Sequence, residues 1–119
     1  MNQYHTPLVT NQPMNVTSHS TPKPLYETKG YAIQAVYTGS SVDGTLYLTA
    51  SCDPLMPDYV PDPVNFTTIA NSSFSVTSAG VFIWNVQAPY YNYVVVNYTD
   101  ASGGTSNGIL NVSITAKDF

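Results

Sequence analysis

A chain of 119 residues can enclose one modest core and suits a single domain. Charged residues make up 8% of it, and a net charge of −4 with Lys23, Lys29 and Lys117 as the only cations excludes phosphate-neutralising nucleic-acid binding and basic membrane-surface helices. Hydrophobic residues at 43% and aromatic ones at 13% exclude a disordered chain, so surface polarity must come from Ser, Thr, Asn and Gln.

The first 29 residues hold four of the nine prolines (Pro7, Pro13, Pro22 and Pro24) and both histidines, without a period of 2 or 3.6 that would bury a face. Such a segment reads as an extended N-terminal arm over 1–29, spanning at most roughly 3.3 Å per residue and lying on a partner or a neighbouring subunit. Tyr4, Pro7, Leu8, Val9, Pro13, Val16, Pro22 and Pro24 are its candidate partner-binding residues. Deleting the arm is expected to leave a folded domain that no longer binds its partner. The start of the chain lacks the basic residues, apolar run and cleavage site of a signal peptide, and no apolar run approaches the roughly 18 residues of a membrane span. The expectation is a product made and kept in a cytoplasm, without a membrane partner.

Residues 30–119 change to short strands separated by turn chemistry. "YAIQAVY" (31–37) and "TLYLTAS" (45–51) flank "TGSSVDG", where Asp43-Gly44 is a favourable turn pair. In the second strand Leu46, Leu48 and Ala50 share one face and Thr45, Tyr47 and Thr49 the other, the period of a half-buried strand. After the proline-rich "DPLMPDYVPDP" follow "NFTTI", "SFSVT", "VFIWNV", "YYNYVVVNYT" and "GILNVSITA", and no window carries a helical period. Short strands at this spacing predict an all-β domain, an antiparallel β-sandwich or jelly roll, over 30–119. Within "APYYNYVVVNYT" (88–99), Tyr91, Tyr93, Val95, Asn97 and Thr99 point one way and Asn92, Val94, Val96 and Tyr98 the other. Both faces are apolar, which predicts a central strand, with Phe82 and Trp84 of the preceding strand as same-face neighbours.

Candidate chemistry is sparse. Asp53, Asp58 and Asp62 share one loop, but calcium needs six to eight oxygens, and Pro54, Pro57, Pro61 and Pro63 point to a stiff surface loop instead. Cys52 is the one cysteine, so it forms no internal disulfide, and its neighbour Asp53 would not activate a thiolate. His5 and His19 both fall in the arm, hydroxyls have no base to activate them, and "SGGTSNG" (102–108) lacks the lysine and helix of a phosphate loop. Neither an enzyme nor a cofactor is expected. Asn15, Asn65, Asn71, Asn97 and Asn111 begin N-x-[ST] triplets, which a chain rich in these residues produces without glycosylation. Tyr37, Tyr59, Tyr90 and Tyr91, if they converged on one surface, would form a sugar-stacking platform.

The ordered series "GTLYLTASCDP", "NFTTI", "SVTSAGVFIWNV", "YYNYVVVNYT" and "SGGTSNGILNVSITAKDF" resembles a group of small tailed-bacteriophage virion proteins over about residues 30–119. Cys52 stands where that group usually has Asn, Phe66 where it has Trp, and Asn92 and Val95 where arginines are common, which makes the central strand less polar and suits burial in an interface. The resemblance implies a head cement or decoration protein of the virion. It would be made in the host cytoplasm, bind the major capsid protein on the outer shell and form homo-oligomers, cyclic trimers at local threefold positions. A tail or fibre adhesin and a free carbohydrate-binding module are the alternatives.

Overall fold

The computed structural model describes residues 3–26, 29–56, 58–87, 89 and 91–117. Ten strands follow in chain order: β1 (Gln3–Pro13), β2 (Ser18–His19), β3 (Lys23–Pro24), β4 (Gly30–Tyr37), β5 (Gly44–Ser51), β6 (Thr67–Thr68), β7 (Phe74–Val76), β8 (Gly80–Gln87), β9 (Tyr93–Asp100) and β10 (Ile109–Lys117). The first sheet has the order β1-β10-β4-β8. In the second, β9 and β5 lie at the centre, with β2 and β3 on the free side of β9 and β6 and β7 on the free side of β5. Every pairing is antiparallel. Counting each split edge as one strand, the chain passes from sheet to sheet at every step except from β5 to its own edge, which is the double-sheet jelly roll.

The core lies between the sheets, and period-2 alternation builds it. Leu110, Val112, Ile114 and Ala116 of β10 are buried while the residues between them are half-buried. Tyr31, Ile33 and Ala35 of β4 join them from the same sheet, and Leu46, Leu48, Val94, Val96 and Tyr98 face them from the other. Each large aliphatic side chain enclosed this way contributes about 1.5–3 kcal/mol. Along the edge between β8 and β7, Phe74 stacks on Phe82 with ring centroids 3.9 Å apart and lies 5.3 Å from Trp84. The Trp84 indole N–H donates to the Ser72 carbonyl at 2.8 Å, joining one sheet to the other.

Two expectations are corrected. The separate arm over 1–29 is overturned by its pairing: β1 runs antiparallel along β10, β2 and β3 pair with β9, and Met14 and Leu25 are buried in the core. This region therefore supplies an edge to each sheet, so the sandwich does not begin at residue 30. The central position of β9 is correct, but β8 pairs with β4 in the opposite sheet, so Phe82 and Trp84 meet the core from across it. The segment with Asp43 and Gly44 carries the chain from one sheet to the other, since β4 and β5 lie in different sheets. Gly44 opens β5 beneath Tyr98, where a Cβ would come within 2.5–2.6 Å of the ring.

Candidate functional site

The residues expected to bind a partner are spread along β1 to β3. Pro7 and Pro13 are exposed in β1, opposite Ser113 and Ile109 of β10. Between Pro7 and Val9 the register slips, so Leu8 and Val9 both lean on the core although they are adjacent in sequence. Their apolar surface is thus already used within the chain. Val16 is 49% exposed in the turn after β1, whereas Pro22 and Pro24 are half-buried and Pro24 sits opposite Tyr93. The Tyr4 backbone pairs with Ala116, and its side chain falls outside the described residues.

Tyrosines gather at the end of the sandwich where β9 begins. The Tyr31 and Tyr91 hydroxyls are hydrogen-bonded to each other, and the rings meet edge-on with centroids 6.4 Å apart. Burial, and then this bond, raise the Tyr31 hydroxyl far above the ordinary phenol range; burial also raises Tyr91, while the bond opposes it. Tyr93 donates to the Pro54 carbonyl at 3.0 Å, and Asn92 donates to the Asp53 carbonyl at 2.9 Å, which folds the 52–66 loop against the end of β9. The Asp53 carboxylate accepts the Asp62 amide at 2.8 Å and the Asn65 side-chain amide at 2.9 Å. Asp53 is thus engaged in shaping the loop, and among the described residues no group of His, Cys, Asp and Glu is placed to hold a metal ion. Burial and the nearby Asp53 charge raise Tyr59, and burial with Tyr26 close by raises Tyr93.

Tyr26 is 55% exposed at this end, and Met56, Val60 and Val64 project from the 52–66 loop at 52%, 83% and 84%. Tyr59 and Tyr91 are half-buried here, whereas Tyr37 ends β4 at the far end, 6.3 Å in ring centroids from Phe74. The convergence of Tyr37 with Tyr59 and Tyr91 therefore fails, because a strand of eight residues separates them. Tyr90 lies outside the described residues.

The far end is held by Asp100. Its carboxylate accepts the Ser102 hydroxyl at 2.5 Å and the amides of Ser102 and Gly104 at 3.0 Å each, and the Ser102 hydroxyl bond is the main cause that lowers its pKa. The Asp100 amide donates to Thr17 at 3.1 Å, and the Tyr98 hydroxyl donates to the Met14 carbonyl at 2.8 Å, so this network also pins the turn after β1.

Two surfaces escaped the sequence reading. A cleft of about 530 Å³ is lined by Lys29, just before β4, and by Tyr31, Asn85, Gln87, Thr115 and Lys117 from β4, β8 and β10. Two of the three cations meet there, which only strand pairing could reveal. The second surface is the outward row of β8, where Val81 and Ile83 are 58% and 55% exposed. Its signal in the sequence was a run, 80–87, with neither charge nor proline.

No helix among the described residues is long and apolar enough to cross a membrane. No family model matches the sequence, and no curated protein does. The fold is similar to that of the SPBc2 prophage-derived protein YomS, with a TM-score of 0.57, 9% identity, and 97% of this chain and 92% of that one covered. The Tobacco streak virus coat protein follows at a TM-score of 0.48, 14% identity, and coverage of 98% and 86%. PirA stands at 0.47, 14% identity, and 97% and 93%. The first likeness is one of fold, and the other two are too distant to argue from.

Proposed function

We propose that this chain is a structural protein of a bacteriophage particle, bound to the outer shell as a cement or decoration protein with the major capsid protein as its partner. The jelly-roll strand order carries the reading, since this architecture recurs in viral capsid domains. The sequence resemblance of residues 30–119 to small phage virion proteins supports it, as does the fold shared with a prophage-derived protein. A surface with few charges suits contact through apolar and hydrogen-bonding groups, and many weak copies on a symmetric lattice bind through avidity. With β1 to β3 folded into the sandwich, the contact falls to rigid surfaces: the exposed Pro7, Pro13 and Val16 and the projecting 52–66 loop. No catalytic step is part of this role.

Quantitative mass spectrometry of purified particles tests it. Copies of this chain equal to, or a simple fraction of, the major shell protein are expected. A handful of copies would move it to a tail or fibre, and absence from particles would overturn the virion role. One observation favours a second reading, carbohydrate binding: Tyr26, Tyr59 and Tyr91 share one end of a fold that lectins also use. A glycan-array signal abolished by Tyr26→Ala is its test.

A further inference from the structure

We infer that β8 joins two copies of this chain edge to edge about a twofold axis, fusing their four-stranded first sheets into one continuous sheet. The inference rests on how the sheet edges differ and does not depend on the virion reading.

A free edge offers unpaired amides and carbonyls to any passing strand, and soluble proteins blunt it with prolines, charge, bulges or brevity. Three of the four edges here are blunted. β1 carries Pro7 and Pro13 and two breaks of register against β10. The β2 and β3 edge consists of two-residue pieces, the second being Lys23 and Pro24. The β6 and β7 edge is made of pieces of two and three residues. β8 has none of these devices: its eight residues, "GVFIWNVQ", pair with β4 in unbroken register and contain no charge and no proline. Among the described residues no strand pairs with its outer side.

The backbone is poised for a partner strand. Thr38 donates to the Ile109 carbonyl, so alternation along β4 turns Tyr31, Ile33, Ala35 and Tyr37 toward β8. Their partners Val86, Trp84, Phe82 and Gly80 are thereby used, which leaves the amides and carbonyls of Val81, Ile83 and Asn85 directed away from the sheet. The side chains of Val81 and Ile83 stand exposed on the outer face of the same strand. An antiparallel mate that sets Val81 against Ile83 of the second copy, and the reverse, covers all four.

A second copy is the occupant because the strand is self-complementary about Phe82: run antiparallel, the outward backbone groups of Val81 meet those of Ile83 of the other copy, and apolar side chain faces apolar side chain. The net charge of −4 opposes association elsewhere, and this strand adds no like charge of its own to the contact. Meeting like with like makes the contact isologous, hence twofold. A cyclic trimer would need β8 to meet a different edge, and those edges are blunted.

Light scattering coupled to size-exclusion chromatography, on the full chain over a wide range of concentration, tests this. Twice the chain mass is expected, halved by Ile83→Lys and unchanged by Ser75→Lys on the exposed edge strand β7. Hydrogen exchange on the unaltered protein gives an independent reading: the amides of Val81 and Ile83 should be protected in the dimer and lose that protection on dilution to the monomer. A mass of one or three chains at all concentrations, a dimer that survives Ile83→Lys, or rapid exchange at Val81 and Ile83 in the dimer would each overturn the inference.

Discussion

β1 and β8 bound the same sheet, and they solve the edge problem in opposite ways. β1 is long but broken: Pro7 and Pro13 remove donors, two extra residues kink it, and Asn11 adopts a φ of +50° with its amide bonded to the Asn111 side chain at 2.9 Å. β8 is shorter, unbroken and uncharged, with Phe82, Trp84 and Val86 on its inner face and Val81 and Ile83 beside Asn85 and Gln87 on its outer one. The difference teaches that an edge which must stay single acquires the composition of a loop, while an edge with the composition of a core strand is one awaiting company.

The largest expected effect breaks the first half of that comparison. Removing residues 1–26 takes away β1, β2 and β3 together with Met14 and Leu25, so cooperative thermal unfolding by circular dichroism should disappear and amide dispersion by NMR should collapse. A cooperative transition in the truncated chain would return this region to the status of an arm. Next in size, Met14→Ala should lower stability by about 2–5 kcal/mol in denaturant titrations, while Val16→Ala, two residues on and exposed, should stay within about 0.5 kcal/mol. Equal effects would mean that the turn after β1 is not part of the core.

Smaller effects sharpen the comparison at the two ends of the sandwich. Tyr31 lies opposite Val86 of β8, and its bond to Tyr91 secures that end, so Tyr91→Phe should cost about 0.5–1.5 kcal/mol. Both hydroxyls are raised in the folded chain, so their contribution is complete below the ordinary tyrosine value of about 10 and falls as pH rises above it; Tyr91→Phe should flatten that alkaline decline. The smallest effect belongs to Asp100, which pins the turn after β1. Its folded pKa is lowered, so its contribution holds above the usual carboxylate range and is lost as pH falls through the folded value. Asp100→Asn should lower the melting temperature slightly at neutral pH and reduce the further drop in acid.

Much of the strand content was legible because it is local. Leu46, Leu48, Val94, Val96 and Tyr98 alternate with polar or differently facing neighbours; burial follows that alternation through the first six residues of β5, whereas in β9 Tyr93 and Val95 on the other face are buried as well, as both apolar faces of that strand predict. What the chain does not write locally is partnership. β2 and β3 are two residues each and exist only because β9 lies beside them, and the strand period of β1 is scrambled by its two insertions. The same reason hid the separation of Tyr37 from Tyr59 and the gathering of Lys29 and Lys117: both depend on which end of which strand meets which, and sequence spacing is silent on that.

Trp84 has a use beyond packing. It is the one tryptophan of the chain, and its indole is bonded to the carbonyl of Ser72, in the turn between β6 and β7, whose hydroxyl is in turn bonded to the Leu48 backbone of the opposite sheet. Its emission therefore registers the separation of the two layers instead of the fraying of any one strand. A red shift marks the moment the sandwich opens, so a single intrinsic fluorophore, without labelling, times the parting of the sheets on rapid mixing with denaturant.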